Sequence, residues 1–195
     1  DRRSTRAYRP EPLQEAVIQQ ILEAGRFAPS GMNKQLNHFY VITDPNYLAD
    51  LTALVSRKME NYRDKDFRYG APVLVLVTNQ KESTTCVQDA SCAMENMMLA
   101  AFSLGVGSCW INQLRETCDV PEVRALLTEY GVPEDHIVVC SAAIGYIEKE
   151  TPAKPPWTSL APGRRPGTWC LGSAEAGNKN FSDQGELFGQ DHRPM

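Results

Sequence analysis

Four arginines and two hydroxyl residues are crowded into the first nine positions of the chain. The stretch reads DRRSTRAYR, and these members are Arg2, Arg3, Ser4, Thr5, Arg6 and Arg9. Guanidinium groups make paired, charged hydrogen bonds with phosphate oxygens, and hydroxyls add neutral donors. The stretch therefore predicts a phosphate-binding segment. A solvated basic terminus is the alternative.

A second polar set lies in the loop 28–35, which has the sequence APSGMNKQ. Pro29 disfavours helix at the residue before it, and Gly31 allows a turn with positive φ. The loop also offers neutral hydrogen-bonding side chains, those of Ser30, Asn33 and Gln35. Such groups suit a polar ring or a polyol better than a phosphate. An ordinary connection between a helix and a strand is the alternative.

No motif for a catalytic acid, base, nucleophile or metal is evident in the sequence. Gly105-Val106-Gly107 does not extend to G-x-G-x-x-G, because Trp110 stands where the last glycine belongs and the turn follows a helix. Neither G-x-x-x-x-G-K-[ST] nor the nucleophile elbow G-x-S-x-G occurs. The three histidines lie far apart, so we predict no metal site. Binding groups without reactive ones are expected where a cofactor carries the chemistry.

Apolar periodicity predicts the elements that position these groups. A helix over 13–28 precedes the polar loop, and a second helix follows Asp44-Pro45, an N-cap with proline at the first helical position. A third helix opens at Asp119 or Pro121 and is closed after Tyr130 by Gly131. The charge run 60–68 predicts a solvated loop. Strands are predicted at His38–Thr43, Ala71–Thr78, Ser108–Ile111 and His136–Tyr146.

The segment Asp89–Leu104 predicts a helix that is apolar almost all the way round. It holds only two charged residues, Asp89 and Glu95, so it must be buried on most sides. At 1.5 Å per residue it is about 24 Å long, too short to span a bilayer. One small subunit is not expected to cover all of its large apolar residues, so the sequence predicts that a second copy of the chain covers part of them. Those residues are Met94, Met97, Met98 and Phe102.

Composition favours a soluble protein with one main core. Apolar residues make up 42% of the 195 residues, and the net charge of −4 argues against nucleic-acid binding. The six cysteines form no C-x-x-C pair, which indicates reduced thiols in a cytoplasmic protein. No signal peptide or membrane span is visible, and residues upstream of Asp1 are expected to be missing. Apolar periodicity fades beyond residue 159, so we predict a binding domain over 1–156 and an extension over 157–195.

Three stretches, RRSTRAY, APSGMNKQ and DASCAMENMMLAAFSLGVGSCWI, resemble the nitroreductase family in order and spacing. The resemblance implies an FMN-binding α+β homodimer with a three-layer fold. Helices would flank a central mixed or antiparallel β-sheet, and the long buried helix would lie at the dimer interface. The flavin would lie between the two subunits.

The resemblance also implies which residues hold the cofactor. The phosphate would be held by Arg2, Arg3, Ser4 and Arg6. The flavin ring or ribityl chain would meet, partly from the partner subunit, Pro29, Ser30, Gly31, Asn33 and Gln35. Beside the ring, with a backbone N–H near the reactive N5, would run Cys109, Trp110, Ile111, Asn112 and Gln113.

The sequence departs from the family pattern at two places. Lys154 matches the first member of a basic pair that completes the phosphate site, but Pro156 and Trp157 stand where an arginine is expected. Either Arg164 or Arg165 could substitute for it. Asn112 stands where some members have a glutamate.

The activity implied by the resemblance is hydride transfer from NADH or NADPH, through flavin N5, to a small-molecule acceptor. The acceptors would be nitroaromatics, quinones or similar conjugated compounds, reduced in a ping-pong cycle. No side chain need be catalytic, because the flavin carries the chemistry. One alternative is a flavin-binding or regulatory module without turnover. Another is a dehalogenase or flavin-consuming enzyme, which usually carries a lid, and here 60–68 is the one candidate for it.

Overall fold

The most continuous apolar run of the chain forms the centre of a four-stranded sheet. Strand order is β1-β2-β4-β3, and every pairing is antiparallel. The strands are β1 (His38–Ile42), β2 (Val73–Gln80), β3 (Val106–Ile111) and β4 (His136–Tyr146). All residues of β2 except Gln80 are buried, because β2 lies between two strands and is covered on both faces.

Helices cover both faces of this sheet. They are α1 (Glu15–Arg26), α2 (Pro45–Lys58), α3 (Cys86–Ser103), α4 (Gln113–Thr117) and α5 (Pro121–Glu129). One hydrophobic cluster joins α1 and α3 to the sheet, and a second joins α2, α4 and α5 to it. The α+β, three-layer prediction is therefore confirmed, with a sheet that is antiparallel throughout.

The computed structural model describes residues 2–63, 65–149 and 151–152, and the backbone of 159–160 and 171–172. The chain divides into two units, Asp1–Pro152 and Ala153–Met195. In the second unit, β5 (Ser159–Leu160) pairs antiparallel with β6 (Leu171–Gly172). The division at residues 156 and 157 stays a prediction, and Lys154, Pro156, Trp157, Arg164 and Arg165 lie outside the described residues.

Local sequence signals fix several helix ends. The Asp44 carboxylate accepts a hydrogen bond from the Tyr47 backbone N–H at 2.8 Å, with Pro45 at the first helical position, as predicted. Gly131 follows α5 with φ of 92°, a left-handed conformation that glycine adopts without steric cost. The short helix α4 was not predicted, since its five residues give too little periodicity.

The central helix differs from its prediction in extent and in burial. It begins three residues earlier, at Cys86. Met94, Met97 and Met98 are at most 2% exposed within one subunit, whereas Phe102 is 46% exposed, so one subunit covers three of the four residues and leaves the fourth exposed. The reason is that α1 packs against this helix, where Gly25 leaves room for Met97. The exposed apolar residues of α3 are instead Val87, Leu99 and Phe102.

The prediction of a solvated loop at 60–68 was also wrong in part. Phe67 is fully buried in the core beneath α2. The Asp66 carboxylate accepts hydrogen bonds from the backbone N–H groups of Arg68 (2.8 Å) and Gly70 (2.9 Å). One buried aromatic side chain and these local bonds anchor a segment whose composition is otherwise that of a surface loop.

Within the described residues, no helix has the length and apolar character needed to cross a membrane. Five cysteines in this part of the chain are free thiols: Cys86, Cys92, Cys109, Cys118 and Cys140. In the same residues, no group of three or more His, Cys, Asp and Glu is placed to hold a metal ion.

Candidate functional site

The arginine-rich N-terminal arm, residues 2–9, lies along strand β3. Ser4 forms a parallel bridge with Ser108, and the Thr5 backbone N–H donates to the Ser108 carbonyl at 2.9 Å. The buried Tyr8 hydroxyl donates to the Thr5 and Ala143 carbonyls at 2.8 and 3.1 Å. Gly107 permits this approach, because a Cβ there would lie 2.6 Å from Thr5 Oγ1. The arm is thus fixed to the edge of the sheet.

Three polar side-chain atoms at this junction are buried without a partner in the described part of the chain. They are Arg2 Nη1, Arg3 Nε and Ser108 Oγ. The Glu95 carboxylate lies 3.7 Å from Arg2 Nε, so it faces a different nitrogen of that guanidinium. A buried donor without an acceptor destabilises a fold, and two of these donors belong to cations. A bound anion such as a phosphate would satisfy them.

Next to the arm opens a cleft of about 340 Å³. It contains the whole predicted run after Ser108, and its lining is Arg6, Met59, Tyr62, Tyr69, Cys109, Trp110, Ile111, Asn112, Gln113 and Glu116. The Arg6 guanidinium carbon lies 5.7 Å from the centroid of the Tyr69 ring. Hydrogen bonding with Tyr69, and then the nearby Cys109, raise the pKa of Arg6, so this cation stays charged.

The residues at the end of β3 in this cleft, Cys109, Trp110 and Asn112, are neutral and do not include a reactive nucleophile. Burial raises the pKa of the Cys109 thiol and outweighs the opposing effects of Arg6 and Ser4, so the thiol is protonated at neutral pH. The Trp110 indole N–H donates to Asn112 Oδ1 at 2.6 Å, which fixes the two side chains relative to each other. These groups can bind and orient a ligand.

The polar loop 29–35 lies away from the arm within one chain. Ser30 and Gln35 line a different cleft, of about 460 Å³, which shares no lining residue with the cleft at Arg6. The loop is held at the start of α3, where the Gly31 N–H donates to Asp89 Oδ1 at 2.9 Å. The structure thus joins the arm to β3, but it does not bring the loop to them.

The backbone of this loop corrects the role predicted for Gly31. Positive φ occurs at Met32 (52°), Asn33 (53°) and Gln35 (53°), and not at Gly31. Glycine is required at 31 because a Cβ would lie 2.7 Å from Thr85 Oγ1. Three non-glycine residues in left-handed conformations store strain, a feature that concentrates at ligand-binding segments.

Sequence reasoning missed several residues that shape the two clefts. Tyr69 was hidden in a charged stretch, and Ser108 was assigned only to a strand. Asp89 carried a usable signal, because a lone acid in an apolar helix needs partners. Its side chain is 4% exposed and also accepts a hydrogen bond from Thr85 Oγ1 at 3.0 Å.

Comparison with known proteins decides the family. The model of the nitroreductase family matches residues 1–146. The chain belongs to the nitroreductase family. A family relative from Archaeoglobus fulgidus, provisionally named NADH dehydrogenase/NAD(P)H nitroreductase, is 31% identical over 159 residues, which cover 76% of this chain and 83% of the relative. The resemblance stated from the three sequence motifs is confirmed.

Two solved nitroreductases share both the fold and part of the sequence. A nitroreductase with bound FMN from Bacteroides fragilis is 40% identical, with a TM-score of 0.75 over 81% of this chain and 90% of that one. An FMN-dependent nitroreductase from Clostridium difficile is 31% identical, with a TM-score of 0.66 over 79% of this chain and 88% of that one.

Proposed function

We propose that this chain is an FMN-dependent oxidoreductase that takes electrons from NADH or NADPH and passes them to small conjugated acceptors such as nitroaromatics and quinones. The main support is a set of three buried hydrogen-bond donors that have no partner in the described residues: Arg2 Nη1, Arg3 Nε and Ser108 Oγ. We infer that they converge on one terminal phosphate, beside a cleft whose lining is mostly neutral and aromatic, with Arg6 and Glu116 as its charged members. The names of the family relatives support FMN and NAD(P)H.

The arm and β3 would share the cofactor between them. Arg2 and Arg3 hold the phosphate through their buried nitrogens, with Ser4 and the charged Arg6 beside them. The run from Cys109, near the end of β3, to Gln113, at the start of α4, would lie along the ring. When bound, FMN supplies hydride transfer from the nicotinamide to the acceptor in a ping-pong cycle.

The side chains of the cleft would bind and orient the ligands and would not themselves react. The buried Cys109 thiol keeps its proton, so it neither attacks nor donates as an acid at neutral pH. Asn112 carries no ionisable group, and its Oδ1 already accepts the Trp110 N–H. Neither residue is therefore assigned a role in proton transfer, which water can perform, and the two contribute orientation.

The loop 29–35 would act on the flavin of a partner subunit. Three left-handed residues follow Gly31 in this loop, and one of them, Met32, is 78% exposed, so the loop faces outward from its own subunit. This supports a homodimer with shared sites, in which residues 1–156 form the binding domain and 157–195 an extension. Free thiols support a reducing compartment, for which we propose the cytoplasm.

The purified full chain tests the proposal directly. It should be yellow, release FMN and not FAD on denaturation, and lose its visible absorbance when NADH or NADPH is added without oxygen. A colourless protein that takes up no added FMN contradicts the proposal. A yellow protein that neither nucleotide reduces would instead be a flavin-binding module without turnover.

The proposed phosphate site is tested by Arg2→Gln and Arg3→Gln. A hydrogen bond to a charged group contributes about 1.5–3 kcal/mol, so the FMN dissociation constant should rise by about 10- to 150-fold in each variant. Lys81→Gln removes one cation outside both clefts and is the matched control. Equal FMN affinity in all three variants and the native chain would show that the arm is only a solvated terminus.

A further inference from the structure

A concave surface lined by several cations lies between α2 and residues 63 and 65–68. Its volume is about 500 Å³. The lining, which we call the basic pocket, consists of Ala49, Thr52, Ala53, Ser56, Arg57, Arg63, Lys65, Asp66 and Arg68. It shares no residue with the cleft at Arg6, and the proposed flavin chemistry does not use it.

The basic pocket holds four cations and one described anion. Arg68 pairs with Asp66 at 3.3 Å, and its side chain is largely buried. The remaining cations, Arg57, Arg63 and Lys65, are exposed and form no ion pair with any other residue that the structure describes. Between them lie the small side chains of Ala49 and Ala53, which leave room for a flat group. The pocket therefore offers an apolar surface with cations around it.

The walls of the basic pocket are fixed in place. Arg68 Nε donates to Thr52 Oγ1 and Arg68 Nη1 to the Ala71 carbonyl, both at 2.8 Å. The Ser56 hydroxyl donates to the Lys65 carbonyl at 2.7 Å. With Phe67 fully buried between these anchors, the segment is held against α2. Such a pre-formed site loses little conformational entropy when a ligand binds.

The same segment forms one wall of both cavities. Tyr62 and Tyr69 line the cleft at Arg6, whereas their neighbours Arg63 and Arg68 line the basic pocket. Successive Cα atoms are about 3.8 Å apart, so the two cavities adjoin at residues 62–63 and 68–69. A long ligand with one ring in the cleft can therefore reach the basic pocket with its other end.

We propose that the basic pocket binds the adenosine 2′-phosphate end of NADPH and makes this phosphorylated nucleotide the preferred electron donor. This inference rests on the proposed function, because it assigns the far end of the nucleotide that reduces the flavin. Arginine guanidinium groups stack on flat rings and pair with phosphate oxygens, as the adenine and its 2′-phosphate require. NADH has the same adenine but lacks that phosphate, so it cannot form the charged hydrogen bonds that the phosphate would accept from the three exposed cations.

Kinetics of the flavin-loaded enzyme provide the first measurement. The native chain should have a kcat/KM for NADPH at least about tenfold above that for NADH, by the range for charged hydrogen bonds at an exposed site. Arg63→Gln and Lys65→Gln should each raise the KM for NADPH more than the KM for NADH and leave kcat unchanged. Lys81→Gln removes one surface cation elsewhere and should change neither. Arg68 is not varied, because its side chain holds the segment together.

Calorimetry on the full chain tests binding at the basic pocket independently of the proposed oxidoreductase activity. Adenosine 2′,5′-bisphosphate should bind and should displace NADPH, with its affinity lost in the Arg63→Gln, Lys65→Gln double variant. Adenosine 5′-monophosphate and inorganic phosphate should bind more weakly, which distinguishes a nucleotide site from a general anion site. If no nucleotide reduces the protein but the bisphosphate binds and the double variant abolishes binding, the proposed function fails and the site stands.

Three results would overturn the inference. The first is equal use of NADH and NADPH by the native chain. The second is that Arg63→Gln and Lys65→Gln raise the KM equally for both nucleotides, or that Lys81→Gln raises it as much. The effect would then be general electrostatics. The third is an absence of bisphosphate binding that exceeds binding of inorganic phosphate.

Discussion

At the scale of single residues, His136 couples stability to pH. It is 4% exposed, and its Nδ1 lies 3.1 Å from Thr78 Oγ1. Burial, followed by the nearby His38, lowers its pKa; Arg124 acts in the same direction, and Asp135 opposes them. The folded chain therefore holds His136 neutral at a pH where the unfolded chain, with a histidine pKa of about 6.5, takes up a proton.

The sign of the effect follows from proton uptake. Above pH 6.5 both states are neutral and His136 contributes no pH dependence. As the pH falls from about 6.5 through the lowered folded pKa, the unfolded state binds more protons, so the free energy of unfolding decreases. Urea unfolding between pH 7.5 and 5 should show a weaker decrease for His136→Gln than for the native chain. Identical pH profiles would contradict this assignment. The His38→Gln variant removes one cause of the lowered pKa of His136, so its decrease should lie between those of the native chain and His136→Gln.

At the scale of elements, α3 supports both halves of the candidate site through two carboxylates. Asp89, in its first turn, holds Gly31 of the polar loop, and Glu95 faces Arg2 of the N-terminal arm. At 1.5 Å per residue the two carboxylates are about 9 Å apart along the helix axis. The buried helix is thus a rigid element that positions segments from distant parts of the chain.

Asp89→Asn tests this support. The variant keeps the shape of the side chain but weakens two hydrogen bonds, so we expect the folded state to lose about 1–3 kcal/mol. Hydrogen exchange at residues 31–35 should accelerate more than in the sheet, because the strained loop loses its anchor. Thr85→Val removes only one of the two bonds and should have a smaller effect. Unchanged exchange in the loop would show that Asp89 does not position it.

At the scale of the whole molecule, the exposed apolar residues of α3 predict how two copies associate. Val87, Leu99 and Phe102 are between 46% and 49% exposed, and Phe27 is 78% exposed. Clustered exposed apolar groups of this kind mark interaction surfaces. Met98, by contrast, is buried within its own subunit, so a charge there would unfold the chain rather than separate two copies.

The double variant Leu99→Asp, Phe102→Asp tests association. The native chain should have about twice the subunit mass of 21.7 kDa in light scattering. The double variant should be a folded monomer with weakened FMN binding, because the loop 29–35 of a partner would no longer reach the site. Ala125→Asp adds a charge to an exposed position on α5 and should leave the dimer intact. A double variant that remains dimeric would place the interface elsewhere.

The sequence by itself determined the main elements and the chemical character of the site. The apolar run of β2, the cap at Asp44 and the glycine after α5 are local patterns, and each produced the structure that such patterns favour. The arginine arm was identified by composition alone. Family motifs named the residues after Ser108, because their order along the chain is visible without a fold.

Only the tertiary structure decided which residues are buried and which segments meet. Asp89 holds Gly31 across 58 positions of sequence, and no local pattern encodes that pairing. Phe67 is buried within a charged run, and Met98 is covered by its own subunit, because other elements happen to pack over them. Burial depends on the partners that the whole chain brings together, whereas propensity and capping depend on near neighbours. Burial is therefore a property of the whole fold, whereas propensity and capping are properties of the local sequence.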